Sequence, residues 1–358
     1  LEWTTAADAE GGKSTLLYYL QKGLPGAVFG FLLFLVGRSS VYRLLGLVFF
    51  LNPLLDTLLS RPLSRGGAVR KVSPSPKEAA LLRRHARDAF GFFADTVSAD
   101  THFLPPDNLQ LSPFRDLALR TSPTNIGMYL TSVLAAYDLG FIDGKETADR
   151  LERTLSAVEG LPKVRGNLYN WYDLKTLSVL GDGFVSFVDS GNLAVCLLAV
   201  AEGLGEYGEA EERFPALSAE CRRLAEETDL SFFYNPKKDL FSLGWSEKKQ
   251  AHESGCYDLL MSEARTASYY AVARGAAPGK HWYALGRTVA SDKGYVGMVS
   301  WSGTMFEYLM PALLLDMPEQ TLLGDGVRAA VAAQAMGATS FALPVAWLGS
   351  TTTGRWLS

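Results

Sequence analysis

The sequence predicts an all-α protein, an α-toroid of paired inner and outer helices, preceded by an apolar membrane-type helical segment. Three observations carry this reading. Stretches with apolar residues at helical spacing recur from residue 78 onward. The connections between them are polar and turn-rich, and several place aromatics beside amides and carboxylates. The first 60 residues hold two apolar runs interrupted by few charges, unlike the rest of the chain. Alternating long helices with furnished loops suit a ring of helix pairs, whose loops line one mouth.

The apolar segment comes first. Ala27–Val36 is one run, broken by Gly37, Arg38 and Arg43, and Leu44–Leu51 is a second, followed by Asn52 and Pro53. Each is shorter than the roughly 18 residues of a spanning helix. They read as marginal spans, as a re-entrant pair, or as a buried hairpin of a soluble domain. The segment taken as contacting a membrane is 24–59. Arg61, Arg65, Arg70, Lys71, Lys77, Arg83, Arg84 and Arg87 follow it. Basic residues just past an apolar segment favour the cytoplasmic side. No basic region leading into an apolar core and cleavage site is visible, so no secretory leader is expected. Ser60–Pro76 carries Arg-Pro, Gly-Gly and Ser-Pro-Ser-Pro, which is linker composition. The division is therefore 1–60 apolar, 61–77 basic linker, 78–337 helical domain and 338–358 a low-complexity tail.

Helices are expected over Glu78–Val97, Thr124–Phe141, Lys145–Glu159, Asp189–Leu204, Ala210–Glu226, Asp258–Arg274, Met305–Leu315 and Gly326–Met336. Asp189–Leu204 is apolar almost all round and opens on a capping Asp. Phe184–Val188 and Asp239–Gly244 are strand-like pieces in the connections.

Composition excludes several classes. The net charge of −4 gives no global basis for binding nucleic acid. Cys196, Cys221 and Cys256 are odd in number and widely spaced, which argues against a disulfide framework or zinc site. His85, His102, His252 and His281 show no metal-ligand spacing. GGKST at 11–15 lacks the earlier glycine of a phosphate loop, since Ala7 stands there. No cofactor and no metal are expected.

The chemistry-bearing residues sit at helix mouths. Arg120, Thr121, Ser122, Pro123, Thr124 and Asn125 open onto a helix. Ser122 or Thr124 can cap it, with Pro123 in the first turn. One side chain caps a helix; this cluster holds far more hydrogen-bonding groups, which suits a neutral, hydroxyl-rich ligand such as a sugar. PPDN at 105–108 is turn chemistry. Residues 167–173 read NLYNWYD, with Asn170, Trp171, Tyr172 and Asp173 as either a binding loop or a hairpin tip. Residues 188–193 read VDSGNL, where Asp189 and Asn192 either line a cleft or serve the helix start. Residues 257–265 read YDLLMSEAR. On a helix, Asp258 and Glu263 would lie on different faces. Glu263 and Arg265 could form a buried ion pair. Residues 300–311 read SWSGTMFEYLMP, with Trp301 and Ser302 in a loop and Glu307 among apolar neighbours. Such a carboxylate is costly unless paired or catalytic. Glycosidic chemistry needs two carboxyl groups, one with a raised pKa. Asp189, Asp258, Glu263 and Glu307 all qualify by context.

RTSPTNIGMYL, GNLYNWYD, VDSGNL, YDLLMSEAR and SWSGTMFEYLMP, in this order, resemble the glycoamylase-like domain of bacterial cyclic β-1,2-glucan synthases over roughly residues 78–337. The resemblance implies an (α/α)6 toroid acting on β-1,2-glucan, in which transglycosylation closes the glucan ring. Related stand-alone domains are endo-β-1,2-glucanases, so hydrolysis is the alternative. Glu263 matches a catalytic carboxyl group, the proton donor, and Asp189 an acidic position in the cleft, taken as the second catalytic residue. Arg120, Thr121, Ser122, Asn125, Asn170, Trp171, Tyr172, Asp173, Asn192, Tyr257, Asp258, Trp301, Ser302 and Glu307 are implied to contact the sugar chain. The apolar segment resembles the membrane region that precedes this domain, which implies the bacterial inner membrane with the toroid on its cytoplasmic side. The family continues with a Trp-Gly-Ile-Ser-Glu-Ser type motif carrying a second candidate Glu. Here the chain reads FALPVAWLGSTTTGRWLS, and no acidic residue follows Asp325. The expectation is an incomplete toroid on a C-terminally truncated synthase fragment, lacking the upstream glycosyltransferase and downstream phosphorylase-like regions; an inactive sugar-binding fragment is a further alternative.

Overall fold

The computed structural model describes residues 16–64, 73–112, 116–292, 295–317 and 321–340. The chain divides into two compact units, Leu1–Ser73 and Pro74–Ser358.

In the first unit, α1 (Leu16–Val36) and α2 (Ser40–Ser64) pack as an antiparallel pair. Both extend well past the apolar runs. Two glycines set the closeness of the crossing. A Cβ on Gly30 would lie 2.6 Å from the carbonyl oxygen of Gly46, and one on Gly46 2.7 Å from that of Gly30. Only hydrogen fits at either point. Arg43 donates to the Gly37 carbonyl at 3.0 Å and fastens the turn. Phe29, Phe31, Leu32, Leu45, Val48 and Phe50 remain exposed.

The second unit begins with α3 (Pro76–Thr96), entered through a reciprocal cap between Ser75 and Glu78. Next come α4 (Pro123–Asp138), α5 (Gly144–Gly160), α6 (Phe187–Tyr207), α7 (Phe214–Glu227), α8 (Arg265–Ala273), α9 (Lys280–Ala284), α10 (Met305–Leu309) and α11 (Leu322–Ser340). The helix expected over Asp258–Arg274 forms only from Arg265, and the one over Met305–Leu315 passes into a 3₁₀ turn at Met310. Pro311 lacks the N–H an α-helix would use there.

Helix α6 is the centre. Among the described residues it is the one helix long and apolar enough to cross a membrane, yet 72% of that span is buried inside the protein. Its neighbours α4, α7 and α8 supply the cover. Gly191 lets α8 approach: a Cβ there would sit 2.1 Å from that of Ala267. At the start of α6, Phe187 stacks on Phe241 at 4.1 Å, and both are fully buried. Each such side chain contributes roughly 1.5–3 kcal/mol. A smaller core of Leu260, Met261, Leu285, Met298 and Tyr308 lies under α10 and α11.

The connections hold more sheet than an all-α reading expects. Fourteen short strands occur among the described residues, in two- and three-stranded antiparallel pieces. Loops this buried must satisfy their own backbone groups, and short ladders do so. Five matter for the site. β3 (Arg120–Thr121) pairs with β6 (Tyr172–Asp173), setting Arg120 opposite Asp173. β7 (Phe184–Ser186) leads directly into α6, and β12 (Cys256–Tyr257) pairs with β9 (Leu240–Ser242).

Candidate active site

Three carboxylates from three separate segments act on one another. Asp189 lies in the first turn of α6, Glu263 just before α8, and Glu307 in α10. Burial raises the Glu263 carboxyl to about 7, and the charges of Asp189 and Glu307 push it the same way. Tyr257 faces the same group: burial raises its phenol, followed by the charges of Glu263, Asp189 and Glu307. Asp189 and Glu263 are half-buried and Glu307 is buried.

The local sequence explains how each is held. Ser186, not Asp189, caps α6: its hydroxyl accepts from the Asp189 N–H at 3.3 Å. That frees the Asp189 carboxylate, which accepts from Thr124 Oγ1 at 2.7 Å. Asn192 donates to the same Thr124 oxygen at 3.2 Å. Burial raises the Asp189 pKa, against the bonds from Ser186 and Thr124. Ser122 caps α4 by accepting from the Asn125 N–H. Thr124, the other possible cap, is thereby released to Asp189.

Glu307 is bound most tightly. Its Oε2 accepts from Ser302 Oγ at 2.6 Å, Ser300 Oγ at 2.9 Å, Ser302 N at 3.0 Å and Thr304 N at 3.3 Å. Beside it Trp301 is 51% exposed and meets Tyr257 with ring centres 6.0 Å apart. An exposed indole offers a flat apolar face on which a pyranose ring can stack.

A second group gathers on β3 and β6. Asp107 takes Arg120 in a forked bond, at 2.9 and 3.2 Å, on one oxygen and Asn125 at 3.2 Å on the other. The Arg120 guanidinium lies 4.4 Å from the Trp171 ring centre. Thr121 Oγ1, Asn170 Oδ1 and Asn192 Oδ1 are buried without a hydrogen-bond partner. Such atoms are normally satisfied, by a water or a ligand where the protein does not supply a partner.

Some expected contacts fall away. Tyr172 is fully buried; its hydroxyl donates to the Pro162 carbonyl and accepts from the Tyr169 N–H, so it is structural. Asp173 accepts from the N–H groups of Lys175 and Thr176, which makes it a turn residue. Asp258 is exposed at the end of β12 and takes no part in the coupling around Glu263. The segment 258–264 is a loop, so helical geometry does not apply to it. Glu263 and Arg265 form no ion pair. Arg265 is buried, and its donors reach the Leu260 carbonyl and the sulfurs of Met261 and Met317, at 3.0 to 3.3 Å. Burial lowers its pKa to about 10, which leaves it charged at neutral pH. Asp107 and Thr124 were missed as site residues. PPDN read only as a turn, and Thr124 read as a possible cap within the polar cluster, without a link to Asp189. The tail 341–358 lies outside the described residues.

No family model matches the chain. The cyclic β-(1,2)-glucan synthase NdvB of Rhizobium meliloti is 30% identical over a gapped alignment that covers 68% of this chain and 13% of that protein. The chain thus corresponds to a small part of that relative's length. Among solved structures, an endo-β-1,2-glucanase from Chitinophaga pinensis, in complex with sophorotriose and glucose, matches with a TM-score of 0.62 at 15% identity, covering 75% of this chain and 68% of that one. An endo-β-1,2-glucanase from Talaromyces funiculosus, in complex with sophorose, matches with a TM-score of 0.58 at 10% identity, covering 72% and 62%. The chain is similar in sequence to one segment of a cyclic β-1,2-glucan synthase and shares its fold with endo-β-1,2-glucanases.

Proposed function

We propose that the unit from residue 74 onward acts on β-1,2-glucan, with Glu263 as proton donor and transglycosylation as its reaction. The observation that carries this is the Glu263 carboxyl, raised to about 7 by burial and by two further acids, with the exposed Trp301 packed on Tyr257, which feels the same charges. A carboxyl group protonated near neutral pH gives its proton to the glycosidic oxygen as the C–O bond breaks. The positive charge that develops on the sugar is stabilised by Asp189, held by Thr124 and set as the second carboxylate. The incoming group is a sugar hydroxyl in transglycosylation and water in hydrolysis. Trp301, Tyr257, Ser302, Arg120, Trp171, Asn125, Thr121, Asn170 and Asn192 line the path of the glucan. The ligands of the glucanase neighbours and the synthase relative support β-1,2-glucan as the substrate class.

The helices belong to an (α/α)6 toroid arrangement in this reading, and residues 24–59 associate with a bilayer, the helical domain lying on the cytoplasmic side. The exposed apolar residues of α1 and α2 and the basic residues that follow support this.

Incubation of the folded chain with linear β-1,2-glucan tests the reading. Cyclic or lengthened glucans indicate transglycosylation. New reducing ends indicate hydrolysis, which the fold shared with glucanases favours as the second reading. No product from a folded sample overturns both and leaves sugar binding alone.

A further inference from the structure

Glu307 stands apart from the other two acids. It is buried, and four hydrogen-bond donors converge on a single oxygen, Oε2. All four come from Ser300, Ser302 and Thr304, the residues on either side of Trp301 and Gly303. Gly303 adopts a left-handed φ of 71°, which closes the turn. Its N–H donates to Ser300 Oγ at 2.9 Å, and its carbonyl accepts from Gln334 of α11 at 3.2 Å. The loop is therefore folded around one carboxylate oxygen and pinned from behind. Trp301, at its tip, projects 51% exposed with its ring against Tyr257.

We propose that Glu307 is a positioning residue: its carboxylate folds residues 300–304 so that Trp301 is held as a sugar platform over Tyr257, beside the proton donor. The proposal rests on the glycosidase reading above and assigns Glu307 a place in it other than sugar contact. Hydrogen bonds to an ionised acceptor are stronger than neutral ones, so a neutral side chain of the same shape would hold the loop less well. Glu307 also acts on the acid itself. Asp189 from α6, Glu307 from α10 and Tyr257 from β12 are the titratable groups facing Glu263, and both carboxylates raise it. One residue thus sets where the sugar sits and when the donor holds its proton.

The test uses the full chain and four variants. Glu307→Gln removes the charge and keeps the shape. Glu307→Asp keeps the charge. Trp301→Phe identifies the Trp301 emission. Sophorotriose affinity, Trp301 fluorescence and the carbon-13 titration of the Glu263 carboxyl, assigned with Glu263→Gln, are the readouts. Glu307→Gln is expected to weaken sophorotriose binding roughly tenfold, the loss of about one charged hydrogen bond. It is also expected to shift Trp301 emission and move the Glu263 midpoint to lower pH. Glu307→Asp is expected to restore the midpoint. A Glu307→Gln protein that is less stable but keeps the wild-type affinity, emission and midpoint overturns the proposal. If Glu307→Gln does not fold, the double variant Ser300→Ala, Ser302→Ala removes two donors and leaves the charge. It is expected to weaken binding without moving the Glu263 midpoint; unchanged affinity overturns the proposal. The titration and the emission need no turnover. A chain that converts no glucan but shows both shifts sinks the proposed function and leaves this inference standing.

Discussion

Glu263 is where charge, burial and chemistry meet. In the proposed role of proton donor it must be protonated, and burial with two neighbouring acids raises its carboxyl to about 7. Activity is therefore expected to hold below neutral pH and to fall as pH rises through about 7. The pH profile of glucan conversion checks this. Glu263→Gln is expected to lower turnover by roughly a hundredfold or more, with sugar binding retained. The same shift has a consequence for stability. The folded value lies above the ordinary 4.5, so the folded protein holds this proton more tightly than the unfolded chain does. That contribution is complete below about 4.5 and is lost as pH rises through about 7. Glu263→Gln is accordingly expected to gain in melting temperature relative to wild type as pH increases across this window. A constant difference would contradict it. Asp107 gives a test away from the acids. Asp107→Ala frees both Arg120 and Asn125 and is expected to raise KM with little change in kcat. The two residues show what a sequence reveals. Glu263 was singled out as one of four candidate carboxylates because an acid in an apolar run is chemically conspicuous, and only the family resemblance gave it the donor's part. Asp107 was not, because an aspartate after two prolines has a sufficient local explanation as a turn.

At the scale of elements, caps and glycines decide the geometry. The helix start near 123 was legible from Ser122 and Pro123, since capping is a local chemistry, whereas the helix from Phe187 was read two residues late because Asp189 resembles the cap that Ser186 supplies. The stretch 258–264 was not legible. Its apolar residues Leu259, Leu260 and Met261 mimic helical spacing, while Leu260 and Met261 in fact fill the small core under α10 and α11 from a loop. The short strands were mostly invisible for a related reason: two-residue ladders are set by tertiary contact rather than by alternation along the chain. Gly191 carries the closest approach of α6 and α8. Gly191→Ala puts a methyl group into Ala267 and is expected to cost about 1–3 kcal/mol. Both helices deliver an acid to the site, so turnover is expected to fall by more than stability alone explains. Chemical denaturation and kinetics on the same sample separate the two effects.

For the whole molecule, the larger core is closed within the second unit, running from Phe90 to Ala277. Among the described residues, all of its members belong to the second unit. A chain beginning at Pro74 is therefore expected to keep a cooperative melting transition and the Glu263 titration. Loss of either would place part of the fold's stability in the apolar unit. Division into an apolar and a polar part was legible, because composition changes abruptly between residues 60 and 76. The assembly of the site was not: residues 107, 124, 189, 263 and 307 are separated by long intervals, and only packing around α6 brings their segments together.

The Gly30–Gly46 crossing joins two helices that run in opposite directions. Such a pair returns the chain to the side it left. In a bilayer it contributes an even number of crossings, whether it passes through fully or dips and returns. Deleting α1 and α2 together would then preserve the side on which the second unit emerges, whereas deleting either helix alone would invert it in a pair that crosses.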